Sequence, residues 1–236
     1  MPKRAVKTTS SRRRRMPARP PRTVRAAPRA LAGPAAADDT TRGKILATAL
    51  EVFAERGFDG ARTRDIADQA GANLGLITYY FANKETLWRE AVTTAFAELQ
   101  REVQDALAAH AADGEREQLE QVARRFIRFV ARKPAFMRLM NDEGKREGPR
   151  MQWLVDTFVR PMHEGLRTLI ERGQERGFLP RIPVASLHYI VLGAAGLLFS
   201  QAPECRRVTG VDPTDPAFAE AHADAVIGLL VAAAGR

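Results

Sequence analysis

The chain has 236 residues, of which 45% are hydrophobic, and its formal net charge at pH 7 is +9. The single cysteine, Cys205, excludes an internal disulfide framework and a zinc site built from thiolates. No uninterrupted apolar run reaches the roughly 18 residues of a membrane span, and the basic N-terminus is not followed by the apolar stretch of a signal peptide. These features predict a protein of the reducing cytoplasm that does not enter a membrane.

The first 40 residues differ from the remainder in composition. They hold 11 of the 37 Lys and Arg residues but only two acidic residues, so they carry the whole net charge. Because they contain almost no large apolar side chains, residues 1–40 are predicted to be a disordered basic tail. Three roles remain open for this tail: an arm that binds DNA phosphates or a minor groove, an extension without a dedicated role, and an organelle transit peptide.

The pattern becomes helical at Thr41, and no segment shows the period-2 alternation of a strand, which predicts an all-α fold. Helix 1 has apolar residues at steps of three and four, and these form one buried stripe. Gly57 is predicted to end this helix, because a glycine adopts a left-handed conformation at little cost. The stripe comprises Ile45, Leu46, Ala49, Leu50, Phe53 and Ala54.

The next segment has the spacing of two helices joined by a short turn. Thr63 is predicted to be the N-cap of a short second helix, and Asn73 the N-cap of the third. Ala67 is small enough for a close crossing of the two helices, and Gly71 permits the positive φ of a tight turn. An ordinary helical hairpin and a DNA-binding helix-turn-helix both fit this spacing.

Three sequence segments resemble the tetracycline-repressor (TetR) family of bacterial regulators. They are Ala-Glu-Arg-Gly-Phe at 54–58, the helix from Thr63 to Gly71, and Tyr-Phe-x-Asn-Lys-Glu-x-Leu at 80–87, and the resemblance runs from about residue 41 to residue 91. It implies a three-helix DNA-binding domain at 41–87 and a helical ligand-binding and dimerisation domain at 88–236. It also implies a homodimer on a palindromic operator, usually released by a small ligand.

The resemblance implies roles for individual residues. Thr63 and Lys84 match positions that contact phosphates, which suits a hydroxyl at a helix N-terminus and a lysine charge. Thr78 replaces a tyrosine that usually touches phosphate but remains a donor. Between two unusual leucines, we favour Leu74 over Leu76 for contact with a thymine methyl, the alternative being packing on helix 1. The candidate DNA contacts are Thr63, Asn73, Leu74, Gly75, Thr78, Tyr79 and Lys84.

Beyond the helix-turn-helix the sequence predicts further helices and one polar loop. A long helix 4 at 84–109 joins the two domains, and another helix follows at 115–132. A short helix ends at Met140, and residues 141–149 form the loop. The apolar pattern then predicts one long helix from Met151 to Arg176.

Ligand specificity is predicted to reside in these helices. Aromatic and methionine side chains at helical spacing fit an apolar pocket, although plain core packing gives the same pattern. His163 is the candidate hydrogen-bonding group of such a pocket. The candidates are Phe126, Phe129, Met137, Met140, Trp153, Phe158, Met162 and His163. The four histidines lack metal-ligand spacing, so neither a metal nor a cofactor is predicted.

The C-terminal region predicts a dimer interface. Residues 187–199 are apolar on nearly every face of a helix, with Gly193 and Gly196 as points of close approach, and a second apolar helix runs from about 216 to 234. Together with a second copy they would form a four-helix interface around a two-fold axis. Burial of both helices within one subunit is the alternative. Two-fold symmetry would place the recognition helices about 34–36 Å apart.

Three function classes follow. The first is a ligand-responsive transcriptional repressor, and it is the class that the resemblance favours. An enzyme is not predicted, because no paired carboxylates, nucleophile elbow, glycine-rich phosphate loop or His-based triad is evident. The third is a non-specific architectural DNA-binding protein that acts through the basic tail. The inducer, the operator and the direction of regulation are not encoded in recognisable motifs.

Overall fold

The computed structural model describes residues 34–234, and every regular element within them is helical. The predicted all-α class is therefore confirmed. The elements are α1 (Pro34–Gly60), α2 (Thr63–Ala70), α3 (Leu74–Tyr80), α4 (Lys84–Ala109), α5 (Glu115–Arg132), α6 (Pro134–Glu143), α7 (Pro149–Leu154), a π-helical turn (Val155–Val159), α8 (Arg160–Glu175), α9 (Val184–Ser200), α10 (Ala202–Thr209) and α11 (Pro216–Ala234).

Helix α1 begins earlier than the sequence predicted and ends as predicted. Its first residue is Pro34, seven positions before the expected boundary at 41. The tail prediction for residues 1–33 lies outside the described residues. At Gly57 the backbone leaves the helix with φ 69° and ψ 170°, as expected for a glycine stop. The Phe58 ring then returns to the apolar face and stacks on Phe53, with ring centroids 5.9 Å apart.

Helices α1, α2 and α3 form a small bundle around shared apolar side chains. Ala67 is 1% exposed where α2 meets its neighbours. Gly71 ends α2 with φ 65° and ψ 31°, and the turn around it donates N–H groups to Ala67 and Asp68 carbonyls. These features confirm the predicted tight turn. The bundle core consists of Ile45, Ala49, Val52, Phe53, Ile66, Ile77 and Phe81.

One continuous apolar cluster joins this bundle to the larger helical region. The long helix α4 contributes Leu87, Trp88 and Phe96 to it, and α6 packs directly along α1. An ion pair between Arg138 of α6 and Glu51 of α1, 3.2 Å, lies beside that contact. The two domains therefore meet through α1 and α6 as well as through the covalent link of α4.

The long helix predicted from Met151 to Arg176 is present, but it is not a regular α-helix along its whole length. It is divided into α7, the π-helical turn at Val155–Val159, and α8. Pro161 stands just after the turn, and because a proline has no N–H, the regular hydrogen bond to the carbonyl four residues earlier is missing. A single wide turn is a common way to accommodate such a defect, and π-helical turns often occur at functional sites.

Helices α9 and α11 pack against α5 and leave apolar side chains on the outside. Gly196 faces inward, since a Cβ there would lie 2.7 Å from the Met137 Cε atom. On α5, Arg128 binds Glu220 of α11 at 2.7 Å. This hydrogen bond, ahead of the attraction of the same guanidinium, lowers the pKa of Glu220 although burial opposes it. The short helix α10, which the sequence analysis did not predict, connects α9 towards α11.

Within residues 34–234, helix length and the grouping of side chains bear on membranes and metals. No single helix there is both long and apolar enough to cross a membrane; α9 and α10 meet that standard only as a pair, bent by 79°. Within the same residues, no group of three or more His, Cys, Asp or Glu side chains is arranged to hold a metal ion.

Candidate nucleic-acid interface

One face of helix α3 is exposed to solvent, and it carries both polar and apolar side chains. Asn73 caps it, because its Oδ1 atom accepts a hydrogen bond of 2.9 Å from the Leu76 N–H group. Ile77 is buried and anchors the opposite face. The predicted contacts Leu74, Thr78 and Tyr79 are all exposed. A short helix with its N-terminus capped and one face free is the geometry that a recognition helix requires.

The two leucines of α3 occupy different environments. Leu74 is exposed, whereas Leu76 is half-buried and packs against the apolar core. This separation agrees with the choice of Leu74 over Leu76 as the outward-facing side chain. Tyr79 is 75% exposed, and its ring meets the Tyr80 ring edge-on at 5.2 Å. Gly75 is also exposed and has no side chain that projects from α3. A Cβ at this position would stand 3.1 Å from Asn73 Oδ1.

The predicted capping role of Thr63 is wrong. Helix α2 begins at Thr63 itself, Arg62 occupies the N-cap position, and no side chain caps the helix there. The first N–H groups of α2 are therefore available to a ligand or to water, since the first four N–H groups of a helix lack partners inside it. Thr63 is half-buried at this end, which keeps it next to the free N–H groups.

A recess of about 450 Å³ lies where α2 begins, α3 ends and α4 begins. It brings together three predicted phosphate contacts, Thr63, Thr78 and Lys84. The other predicted contacts do not line it: Asn73 is the N-cap of α3, and Leu74, Gly75 and Tyr79 lie on α3 itself. Its lining consists of Asp59, Ala61, Arg62, Thr63, Ile77, Thr78, Phe81, Ala82, Asn83 and Lys84.

Lys84 has a structural role that the sequence analysis missed. Its Nζ atom donates to the carbonyl oxygens of Phe58 at 2.8 Å and Ala61 at 3.1 Å, and lies 3.5 Å from that of Asp59. It also stands 4.6 Å from the centre of the Phe58 ring. The ammonium group thereby secures the corner between α1 and α2. The phosphate contact of Lys84 stays a prediction.

Arg62 is a candidate contact that the sequence analysis did not name. Its side chain is exposed and it lines the recess together with Thr63. A guanidinium beside a helix N-terminus suits a phosphate oxygen in both charge and geometry. The signal was present in the sequence as an arginine next to the first residue of α2, but it was masked because the cap was assigned one residue too late.

Seven of the eight predicted ligand-pocket residues, all except His163, belong to the apolar core cluster or pack against it. Phe129 and Met137 are buried, and the other six are half-buried. Phe158 stacks on Phe96 with centroids 4.4 Å apart, and Trp153 meets Phe158 edge-on at 5.3 Å. A separate open recess of about 780 Å³ follows the 144–152 segment rather than this cluster.

His163 pairs with a second histidine. Its Nδ1 atom lies 3.4 Å from the Nδ1 atom of His188 on α9. Burial, and then the neighbouring His163, lower the pKa of His188. When both rings are neutral, the Nδ1–H group of one ring can donate to the Nδ1 atom of the other, and this hydrogen bond links α8 to α9. The sequence analysis named His163 but not this partner, because the two lie 25 positions apart.

Taken together, α2 and α3 define a helix-turn-helix DNA-binding protein with a helical second domain. Comparison with known proteins agrees. The family model for bacterial regulatory proteins of the tetR family matches residues 45–91, and the model for the tetracycline-repressor-like C-terminal domain matches residues 116–230. The chain belongs to the TetR family and is a DNA-binding transcriptional regulator.

A sequence relative supports the same assignment, and solved structures share the fold. The chain is similar to the HTH-type transcriptional repressor NicS of Pseudomonas putida, with 32% identity over 142 residues, which cover 59% of this chain and 66% of that protein. Its fold is similar to the ketosteroid transcriptional regulator KstR2 of Mycobacterium tuberculosis, with TM-score 0.64, 22% identity and coverage of 81% and 93%. It is also similar to FadR of Bacillus subtilis, solved with stearoyl-CoA, with TM-score 0.59, 18% identity and coverage of 81% and 98%.

Proposed function

We propose that the protein is a homodimeric repressor that binds a palindromic operator and is released from it by a small-molecule ligand. The exposed face of the capped helix α3 is the observation that carries this proposal. Asn73, Leu74 and Gly75 stand at its first turn, and Tyr79 is 75% exposed. In this arrangement the first turn reads base edges in the major groove, while Tyr79 reaches a base or the backbone.

Phosphate binding in this proposal falls to the recess beside α3. Thr63 and Arg62 at the start of α2 meet one phosphate, with the unpartnered N–H groups of that helix behind them. Thr78 donates from α3, and Lys84 adds positive charge at the start of α4. Phosphate contacts fix the register of the protein on the duplex, whereas sequence preference comes from α3.

The outward face of α9 and α11 supports dimerisation. Tyr189 is 73% exposed and Leu229 is 71% exposed, and Ile190 and Leu197 add further apolar surface on α9. A cluster of apolar side chains that is exposed to water usually marks an interface. A second copy that packs α9 and α11 against their equivalents would cover it, and the two-fold axis would set the spacing of the two α3 helices.

Release by a small ligand is supported by the second domain. FadR of Bacillus subtilis, which shares the fold, was solved with stearoyl-CoA. In the present chain, the aromatic cluster around Trp153 and Phe158 adjoins a π-helical turn, an element that often occurs at functional sites. We expect the effector to act there, to bind without chemical turnover, and to work without a metal or cofactor.

Selection of bound sequences from a random DNA library tests the proposal. The purified full-length protein is expected to enrich a palindrome whose half-sites lie one helical turn, or a multiple of it, apart. Enrichment of a single half-site would contradict the dimer, and failure to enrich any sequence would contradict specific recognition. The selected duplex then serves as the probe for effector screening, in which an effector releases the protein.

A second candidate function rests on charge. The whole net charge of +9 lies in residues 1–40, so a non-specific architectural protein that binds DNA through this tail is the competing proposal. Deletion of residues 1–33, which stops before α1, separates the two. A repressor keeps its preference for the selected operator over random DNA after deletion, whereas an architectural protein loses its DNA binding.

A further inference from the structure

Arg150, at the start of α7, crosses the junction between the two domains. Its guanidinium lies 4.0 Å from the centre of the Phe58 ring and 5.9 Å from that of Trp88. Phe58 belongs to the DNA-binding domain, where it follows the Gly57 break, and Trp88 lies on α4. A guanidinium this close to an aromatic face is attracted by it. Arg150 is therefore a direct contact between the effector domain and the corner that ends α1.

A buried carboxylate holds Arg150 in this position. Glu143, the last residue of α6, is only 4% exposed and accepts a hydrogen bond of 3.2 Å from Arg150 Nε. A buried charge is costly unless it is paired, so Glu143 constrains Arg150 strongly. The neighbouring Asp142 is close to the same corner, since a Cβ at Gly57 would stand 3.5 Å from its Oδ2 atom.

The same corner is bound from the DNA side. Lys84 donates to the Phe58 and Ala61 carbonyls and lies over the Phe58 ring. Ala61 and Lys84 both line the recess of candidate phosphate contacts. Phe58 thus has a cation from each domain on its ring, and one of the two, Lys84, also lines the recess.

We propose that Arg150, held by Glu143, is the positioning residue through which the effector domain fixes the orientation of the DNA-reading helices. The inference rests on the proposed function and adds the residues that transmit the signal. A movement of α6 or α7 that withdraws Arg150 from Phe58 frees the α1–α2 corner. A freed corner must be ordered again in each protomer when DNA binds, which lowers specific affinity.

The chain offers a built-in optical signal for this junction. Its only two tryptophans, Trp88 and Trp153, are in contact there, with ring centroids 5.6 Å apart. Intrinsic tryptophan fluorescence therefore reports on the surroundings of Arg150. A substitution with a purely remote structural effect would leave the emission of the folded protein unchanged, whereas withdrawal of the guanidinium from Trp88 is expected to shift its maximum.

A double-mutant cycle tests the proposal on the operator selected with the wild-type protein. One arm is the charge-neutral pair Glu143→Gln with Arg150→Met, which avoids a buried unpaired carboxylate, and the other is Phe58→Leu. Each arm is expected to weaken operator binding about tenfold, since both protomers lose a contact of roughly 0.5–1 kcal/mol. The triple variant is expected to bind no more weakly than either arm. Arg146→Met, four positions before Arg150, is the matched control, because Arg146 is exposed and its ion pair is with Asp142 of α6 rather than with Glu143.

The outcomes separate this inference from the proposed function. If the wild-type protein selects no palindrome, the proposed function fails. If it selects one but the paired variant binds it with unchanged or raised affinity, or the two losses add, the inference on Arg150 is overturned. Should the paired variant not fold, Arg150→Lys replaces it, because it keeps the charge beside Glu143 but lacks the flat guanidinium face. Arg150→Lys is then expected to weaken operator binding about three- to fivefold. Its loss and the loss from Phe58→Leu are again expected not to add.

Discussion

Exposure distinguishes the side chains of α3 that are candidates for reading DNA from those that hold the helix in place. Leu74 and Leu76 are two positions apart, yet only Leu74 faces solvent, because a helix turns by about 200° over two residues. The sequence analysis favoured Leu74 over Leu76 as the outward-facing side chain, and the exposures agree with that choice, while a contact of Leu74 with DNA stays a prediction. It placed Thr63 one residue out of register, since a threonine before an apolar stripe fits both the N-cap and the first helical position.

Substitution of the two leucines should have different consequences. Leu74→Ala is expected to change sequence preference at one base pair by about 1 kcal/mol, because an apolar contact with a thymine methyl is lost, while the unfolding midpoint stays the same. Leu76→Ala is expected to lower the unfolding midpoint and to leave base preference unchanged, because its side chain packs on the core. Binding to operator variants and thermal unfolding of both proteins provide the comparison. A reversed pattern would contradict the orientation of α3.

The ammonium group of Lys84 is predicted to contribute to both stability and DNA binding. Lys84→Met should lower the free energy of unfolding by about 2 kcal/mol, because carbonyls of the α1–α2 corner lose their charged donor. If Lys84 also contacts phosphate, the salt dependence of DNA binding should fall by about one unit of slope. Lys44→Met, at an exposed lysine of α1, serves as the stability control. Equal stability of the two variants would contradict the corner-securing role.

At the scale of helices, the boundaries predicted most accurately were those set by local chemistry. Helix α4 follows the Asn83 cap, and α5 lies between Gly114 and the Lys133–Pro134 pair; both have the predicted bounds. The π-helical turn was missed because apolar periodicity continues through it. Pro161 was the available signal, but whether a proline kinks, ends or widens a helix depends on tertiary packing.

The contact between α5 and α11 is predicted to respond to acid. The pKa of Glu220 is lowered from its ordinary value of 4.5, chiefly by the Arg128 hydrogen bond. Because the folded pKa is the lower one, this pair stabilises the fold above the unfolded pKa and loses its effect as pH falls from about 4.5 through the folded value. Thermal unfolding between pH 7 and 3 is expected to show a smaller acid-induced loss in Glu220→Gln than in wild type.

The size of this effect is modest because Glu220 is partly exposed and solvent screens the pair. Glu204→Gln, at an exposed position of α10, is the matched control and should keep the wild-type acid dependence. Identical acid dependence in all three proteins would mean that the Arg128–Glu220 pair does not tie α11 to the core.

At the scale of the whole molecule, the sequence predicted the two-domain all-α fold because three matching segments specify the family. It could not predict how the domains touch, since Arg150 and Phe58 lie 92 positions apart and neither has a distinctive local pattern. For the same reason, the His163–His188 pair was not predictable from spacing. Such contacts are decided by packing between helices, which the sequence of each helix does not record.

Dimer formation is predicted to depend on the outer face of α9 and α11. Leu229→Glu should shift the protein from dimer towards its monomer mass of 26.1 kDa in sedimentation equilibrium, because a charge would be buried at the interface. Val208→Glu on α10, at an equally exposed apolar position, should remain dimeric. If both variants stay dimeric, the second copy packs elsewhere.

The central claim, sequence-specific DNA binding through α3, is tested most directly by a gel-shift measurement. The wild-type protein is incubated with the DNA upstream of its own gene, at moderate salt and with excess random DNA as competitor. The account predicts a discrete complex that survives the competitor. A smear that the competitor abolishes would contradict specific binding at this DNA and would favour non-specific binding through the basic tail.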